Sequence, residues 1–153
     1  QKGRVMEMKI LILCTGNTCR SPMAEGIVNA IIKREHLEKE MRVESMGFAA
    51  SDGDFPTVNA VECMKEIGID ITGHRARRVT LQDLNDADIF YVMTDSHKNV
   101  IADAVPDYED RVIVLDVPDP FGQDIGVYRE CRDKIRDFFE QEFRFRLDEK
   151  ADK

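Results

Sequence analysis

Residues 14–22 read Cys14-Thr15-Gly16-Asn17-Thr18-Cys19-Arg20-Ser21-Pro22 and lie between an apolar run and a stretch with helical spacing of apolar residues. The apolar run, Ile10-Leu11-Ile12-Leu13, is typical of a buried strand. Ser is a favoured N-cap and Pro is favoured at the first helical position, so we expect a helix to begin near Ser21 or Pro22. The nine residues therefore form a loop between a strand and a helix N-terminus.

This loop is suited to binding a phosphate. Backbone N–H groups and the positive end of the helix dipole point at one spot in such a junction. Gly16 and Asn17 are residue types that tolerate the positive φ angle of a tight anion-binding turn. Cys14 and Arg20 frame the loop, and we expect the dipole and the guanidinium to ionise the thiol easily. Because a guanidinium holds two phosphate oxygens in a fork, the loop combines a nucleophile, an anion cradle and a charge clamp.

The composition limits the class of protein. The 153 residues are 42% hydrophobic and 34% charged, which predicts one globular domain. The net charge of −8 argues against a nucleic-acid partner, and no apolar run approaches the length of about 20 residues that spans a membrane. No secretory signal and no CxxC pair are present, so we interpret the four cysteines as reduced thiols in a cytoplasmic protein, without a metal site or a cofactor.

Predicted strands and helices alternate along the chain. The strands are 10–13, 41–46, 88–93 and 112–115; the helices are 22–35, 58–67 after the cap Thr57, a short one after the cap Thr80, 95–104, and a last one beginning near Gln123 or Asp124. Such alternation predicts an α/β fold with a parallel sheet and helices on both faces. Ligands of these folds bind beyond the carboxyl ends of the strands, where Cys14 and the loop at Asp119 both arrive.

We predict a single domain over residues 9–147. Residues 1–8 carry no motif, so we interpret them as an N-terminal extension, as residues added in cloning or as the remnant of a longer polypeptide. Residues 148–153 are charged and are expected to fray.

The loop at 14–22 resembles the signature loop of the low-molecular-weight protein tyrosine phosphatases, Cys-x5-Arg-Ser with Gly-Asn inside. A second motif, Asp119-Pro120-Phe121, resembles the Asp-Pro-aromatic motif of the same family. The resemblance extends from about Lys9 to about Phe139. It implies the phosphotyrosine phosphatase I-like fold, in which four parallel strands are ordered 2-1-3-4.

The resemblance also implies roles for the two motifs. Cys14 would attack phosphorus and form a phosphocysteine, and Arg20 would clamp the phosphoryl oxygens. Asp119, held between two prolines, would protonate the leaving group and later activate water; its neighbours Asp116 and Asp124 do not fit the motif.

Further residues would bind the substrate or support the loop. The expected substrate-binding residues are Thr15, Gly16, Asn17, Thr18, Cys19 and the aromatic wall Phe121. Ser21 would donate a hydrogen bond to the Cys14 sulfur, and Asn17, Ser45 and His74 resemble the family's buried network, although the family usually has Ala where this chain has Met46. Cys19 matches a family cysteine that forms a reversible disulfide with the nucleophile.

Several functions stay open at this point. Phosphotyrosine in a protein is the family's usual substrate, with inorganic phosphate or another oxyanion also binding the loop. Thr18, Thr94 and the run 119–122 instead resemble the family's protein arginine phosphatase branch, and the Thr18 hydroxyl could accept a hydrogen bond from a guanidinium. An arsenate reductase would need Cys63 or Cys131 as relay thiols, yet these are far apart in sequence. A non-catalytic anion-binding module is the remaining alternative.

Overall fold

The computed structural model describes residues 7–151, with the side chains of 150 and 151 not described. Its elements are β1 (Met8–Cys14), α1 (Arg20–Arg34), β2 (Met41–Gly47), α2 (Val58–Lys65), α3 (Leu81–Asp86), β3 (Ile89–Val92), α4 (Asp95–Ala104), a 3-10 helix (Pro106–Arg111), β4 (Val112–Val114) and α5 (Ile125–Ala151).

The four strands form one parallel sheet in the order β2-β1-β3-β4, which confirms the predicted topology. β1 pairs with β2 along its whole length and with β3 from Ile10 to Leu13. A strand with neighbours on both edges and helices on both faces is buried throughout, and this explains why its sequence is continuously apolar. Cys14 ends this inner strand, opposite Gly47 of β2.

Two hydrophobic cores lie on opposite faces of the sheet. Alternate strand residues such as Ile12 and Tyr91 pack in one core with α1, α2 and α5. The intervening residues, such as Leu13 and Phe90, pack in a smaller core with α3 and α4. The period of two along each strand places successive side chains on opposite faces, so helices cover both of them, as predicted.

The ends of several elements differ from the sequence-based expectation. α1 begins at Arg20 after the cap position Cys19, which makes no side-chain capping bond, so neither Ser21 nor Pro22 starts the helix. The predicted caps Thr57 and Thr80 do accept hydrogen bonds from their helices. α5 extends from Ile125 to Ala151, and residues 127–151 contain neither Gly nor Pro to end it. Fraying of 148–153 stays a prediction. Within residues 7–151, no helix is both long and apolar enough to span a membrane.

The first strand begins slightly earlier than the predicted start of the domain at residue 9. β1 begins at Met8, one residue before the predicted domain start, because Met8 N donates to the Glu40 carbonyl and Met8 pairs with Met41. The predicted N-terminal extension and the predicted frayed tail include residues 1–6, 152 and 153, which lie outside the described residues.

Candidate active site

The loop after β1 lines a cavity of about 260 Å³ at the carboxyl edge of the sheet. This one cavity is lined by Cys14 and Arg20 of the first motif and by Asp119 of the second. Asp119 lies 99 positions after Arg20 in the sequence. The predicted substrate-binding residues line it too: Thr15, Gly16, Asn17, Thr18, Cys19 and Phe121. Three lining residues that the sequence did not indicate are Ala49, Ser51 and Asp54, from the loop that follows β2.

The Cys14 sulfur lies in a buried, polar setting. Ser21 Oγ is 2.9 Å from Cys14 Sγ, and the Asn17 backbone N–H donates to the sulfur over 3.2 Å. Burial raises the pKa of the Cys14 thiol, while the hydrogen bonds from Ser21 and Asn17 and the charge of Arg20 lower it. Burial is the largest of these effects, so the sequence-based prediction that this thiol ionises easily is wrong.

Arg20 is almost fully buried, with 4% of its surface exposed. Its Nη1 donates to the Val117 carbonyl over 3.0 Å, and its Nη2 lies 3.7 Å from Asp119 Oδ2. Its Nε is also buried and has no hydrogen-bond partner in the described part of the chain. A buried guanidinium with an unused donor is suited to an anionic ligand, because leaving a charged donor unpaired is costly.

Asp119 lies at the mouth of the cavity, and its side chain is 52% exposed. Its Oδ1 accepts the Phe121 backbone N–H over 3.1 Å. Pro118 and Pro120 flank it and fix two φ angles of the loop. The Phe121 ring is 65% exposed and forms part of the cavity wall.

Asn17 is the centre of the network that holds the loop. It is fully buried and adopts φ +58°, a conformation that Asn tolerates better than most residues. Its Nδ2 donates to Ser21 Oγ over 2.8 Å and to Ser45 Oγ over 3.0 Å. His74 Nε2 donates to the Asn17 carbonyl over 2.8 Å. Because Ser21 Oγ accepts from Asn17, its own hydrogen is free to point at the Cys14 sulfur.

Gly47 is required by a close approach between β2 and the loop. A Cβ atom at Gly47 would lie 2.6 Å from the Thr15 carbonyl oxygen and 3.1 Å from Asn17 Cβ. The Gly47 N–H also donates to the Arg77 carbonyl over 2.9 Å. Only glycine therefore fits at this end of β2 without moving the loop.

Four further residues contact the loop or the network that supports it, and the sequence did not assign them to either. Glu25 Oε1 accepts the Ser45 hydroxyl over 2.5 Å. Tyr128 OH and Thr57 Oγ1 lie 3.3 Å and 3.5 Å from Cys19 Sγ. His97 Nε2 lies 2.9 Å from Thr15 Oγ1. Burial, followed by the charge of Arg20, lowers the pKa of His97 to about 4, so this ring is neutral near pH 7.

All four cysteines lie within the described residues and are free thiols. Across residues 7–151, no group of three or more His, Cys, Asp or Glu side chains is arranged to hold a metal ion.

The fold and the cavity define a cysteine-dependent phosphatase with the signature loop at the end of its inner strand. The sequence profile of the low molecular weight phosphotyrosine protein phosphatases matches residues 9–152, and the chain belongs to this family.

Similar proteins include members with two substrate assignments. The chain is 38% identical to the protein-arginine-phosphatase of Bacillus subtilis (strain 168), over 88% of this chain and 93% of that protein. It is 30% identical to the low molecular weight protein-tyrosine-phosphatase PtpB of Staphylococcus epidermidis, over 88% of this chain and 96% of that protein. A solved structure of YwlE arginine phosphatase, a Cys-to-Ser mutant with a phosphorylated active-site serine, has a TM-score of 0.79 and 37% identity, covering 85% of this chain and 90% of that chain.

Proposed function

We propose that this phosphatase removes phosphate from phosphoarginine in proteins, through a phosphocysteine intermediate. The observation that carries the chemistry is the convergence of Cys14, Arg20 and Asp119 in one cavity. The observation that favours phosphoarginine is Thr18, a residue of the anion-binding loop that lines the cavity and carries a hydroxyl group. The similarity to the Bacillus subtilis protein-arginine-phosphatase supports this substrate.

In the first half of the reaction, Cys14 is the nucleophile. Its thiol first loses its proton to water, which the contacts from Ser21, Asn17 and Arg20 favour and burial opposes. The sulfur attacks phosphorus, the P–N bond breaks, and Asp119 gives its proton to the leaving guanidine nitrogen. Arg20 and the loop N–H groups stabilise the charge on the phosphoryl oxygens. The phosphorylated serine in the YwlE mutant supports a covalent intermediate at this position.

In the second half, water releases the phosphate. The Asp119 carboxylate takes a proton from the water as its oxygen attacks phosphorus and the P–S bond breaks. The Ser21 hydroxyl, 2.9 Å from Cys14 Sγ, stabilises the thiolate that leaves. Inorganic phosphate, or another oxyanion, then occupies the same cradle.

Phosphotyrosine is the second candidate substrate. The exposed ring of Phe121 lies in the cavity wall, where it can stack on a phenol ring. PtpB of Staphylococcus epidermidis, whose name assigns it to tyrosine phosphatases, supports this alternative.

An arsenate reductase or a non-catalytic module is less well supported. A reductase relay needs thiols that can reach the nucleophile, yet Cys63 on α2 and Cys131 on α5 are buried and do not line the cavity that contains Cys14. A binding module has no need of a nucleophile and an acid in one cavity. The four free thiols suit a reducing compartment, so we also propose a cytoplasmic location.

The test compares kcat/KM for phosphoarginine and phosphotyrosine in peptides of the same neutral sequence. We expect the wild-type protein to prefer phosphoarginine and Cys14→Ser to lose turnover while still binding vanadate. Thr18→Ile keeps a β-branched side chain but removes the hydroxyl, so the phosphoarginine to phosphotyrosine ratio should fall about ten- to a hundredfold. Thr72→Ile, an exposed change outside the cavity, is the control. A wild-type preference for phosphotyrosine would refute the proposed substrate.

A further inference from the structure

The lining of the cavity contains a carboxylate that the reaction does not use. Asp54 lies in the loop between β2 and α2 and contributes to the same cavity as Cys14 and Arg20. Its side chain is exposed, and the carboxylate forms no hydrogen bond or ion pair with any group in residues 7–151. Asp119 differs, because its carboxylate lies near Arg20 and accepts the Phe121 N–H.

The backbone fixes Asp54 relative to the phosphate loop. Its N–H donates to the Ser51 carbonyl over 3.1 Å, and its carbonyl accepts the Ala76 N–H over 2.8 Å. The next residue after Ala76 is Arg77, whose N–H donates to Asn17 Oδ1 over 2.9 Å. One short segment, 76–77, therefore holds both the loop that contains Asp54 and the buried centre of the phosphate loop.

A carboxylate beside an anion site is unfavourable for a substrate that carries only negative charge. The phosphoryl group of phosphotyrosine is attached to a neutral ring, so Asp54 can only repel this substrate. Phosphoarginine carries its phosphoryl group on a guanidinium, which places a positive charge next to the negative one. Asp54 can then attract the cation while Arg20 and the loop hold the anion.

We propose that Asp54 is a specificity-determining residue that pairs with the guanidinium of phosphoarginine. This inference rests on the proposed function. Asp54 would favour phosphoarginine over phosphotyrosine through its charge, in addition to the hydrogen bond expected from Thr18. Because the Asp54 side chain is exposed, salt weakens its contribution, whereas the contribution of Thr18 is insensitive to salt.

The test is Asp54→Asn, with Asp103→Asn as a control that removes the same charge from an exposed position outside the cavity. We expect kcat/KM for a phosphoarginine peptide to fall about three- to tenfold, through KM more than kcat. The value for a phosphotyrosine peptide of the same neutral sequence should stay constant or rise. Raising the ionic strength should reduce the selectivity of the wild type and leave that of Asp54→Asn unchanged. Asp54→Glu should retain the preference.

Four results would overturn the proposal. An equal loss with both peptides would show that Asp54 supports the loop and does not select the substrate. A loss that appears only when basic residues flank the phosphorylated one would show that Asp54 binds the flanking sequence. A wild type without phosphoarginine turnover would refute the proposed function and this inference together, whereas normal phosphoarginine turnover with an unchanged ratio would refute the inference alone.

Discussion

Replacement of Asn17 by alanine tests whether a single buried amide holds the phosphate loop in shape. The side chain donates to Ser21 and Ser45 and accepts the Arg77 N–H, over 2.8–3.0 Å. Alanine removes all three hydrogen bonds and leaves the Arg77 N–H without its acceptor. Alanine must also adopt the φ angle of +58°, which is less favourable for it than for asparagine.

The expected loss of stability follows from these contacts. An unsatisfied buried N–H costs about 1–3 kcal/mol, and each of the two lost bonds to serine costs about 0.5–1.5 kcal/mol. The positive φ angle adds about 1 kcal/mol for alanine. We therefore expect Asn17→Ala to lower the free energy of unfolding by about 3–7 kcal/mol. Asn17→Gly removes the same bonds without the backbone strain and should be about 1 kcal/mol more stable than Asn17→Ala.

The assay measures unfolding by denaturant. It also measures kcat for each variant under conditions in which that variant is folded. Asn29→Ala, an exposed change within α1, is the control and should change neither quantity appreciably. In the Asn17 variants, kcat should also fall, because Ser21 loses the donor that orients its hydroxyl towards the sulfur. If both variants unfold within about 1 kcal/mol of the wild type and retain its kcat, the loop does not depend on Asn17.

Other changes test individual residues of the site. Arg20→Lys should lose most activity while keeping the charge, because an ammonium cannot reproduce the bidentate fork; a kcat near that of the wild type would place the clamp elsewhere. Asp119→Asn should slow turnover by about 10²–10⁴-fold for basic leaving groups and far less for nitrophenyl phosphate; a larger leaving-group dependence in Asp116→Asn would show that the acid is misassigned. Ser21→Ala should raise the pKa of Cys14 further, because the Ser21 hydrogen bond lowers it. Alkylation requires the thiolate, so its rate profile should move to higher pH, and an unmoved profile would contradict the contribution of Ser21.

The sequence predicts the features of the fold that depend on residues close to one another in the chain. The apolar run before Cys14 identifies the buried strand, and the hydroxyl side chains of Thr57 and Thr80 identify two helix starts. The strand order came from the family resemblance, because alternation alone is compatible with several orders of a parallel sheet. The convergence of Cys14 and Asp119 was predictable because the carboxyl ends of parallel strands share one edge.

Contacts between distant elements were not predictable in the same way. The sequence indicated no contact of Tyr128 with the loop, yet its hydroxyl lies 3.3 Å from Cys19 Sγ, 109 positions away. His97 reaches Thr15 across 82 positions. Such contacts depend on the depth and rotation of α4 and α5 against the sheet, which packing of the whole core determines. A helical stripe shows which face is buried but not which buried atom meets the loop.

The wrong prediction for the Cys14 thiol has the same origin. The local motif contains only the features that favour the thiolate, namely the helix N-terminus, Arg20 and the Ser21 hydroxyl. The opposing effect is burial, which arises because β1 lies inside the sheet and helices cover both faces of that sheet. Burial at the end of this inner strand therefore holds the proposed nucleophile in position and also opposes its ionisation. The network around Asn17 then becomes essential, because it directs the Ser21 hydrogen towards the sulfur and so offsets part of the effect of burial.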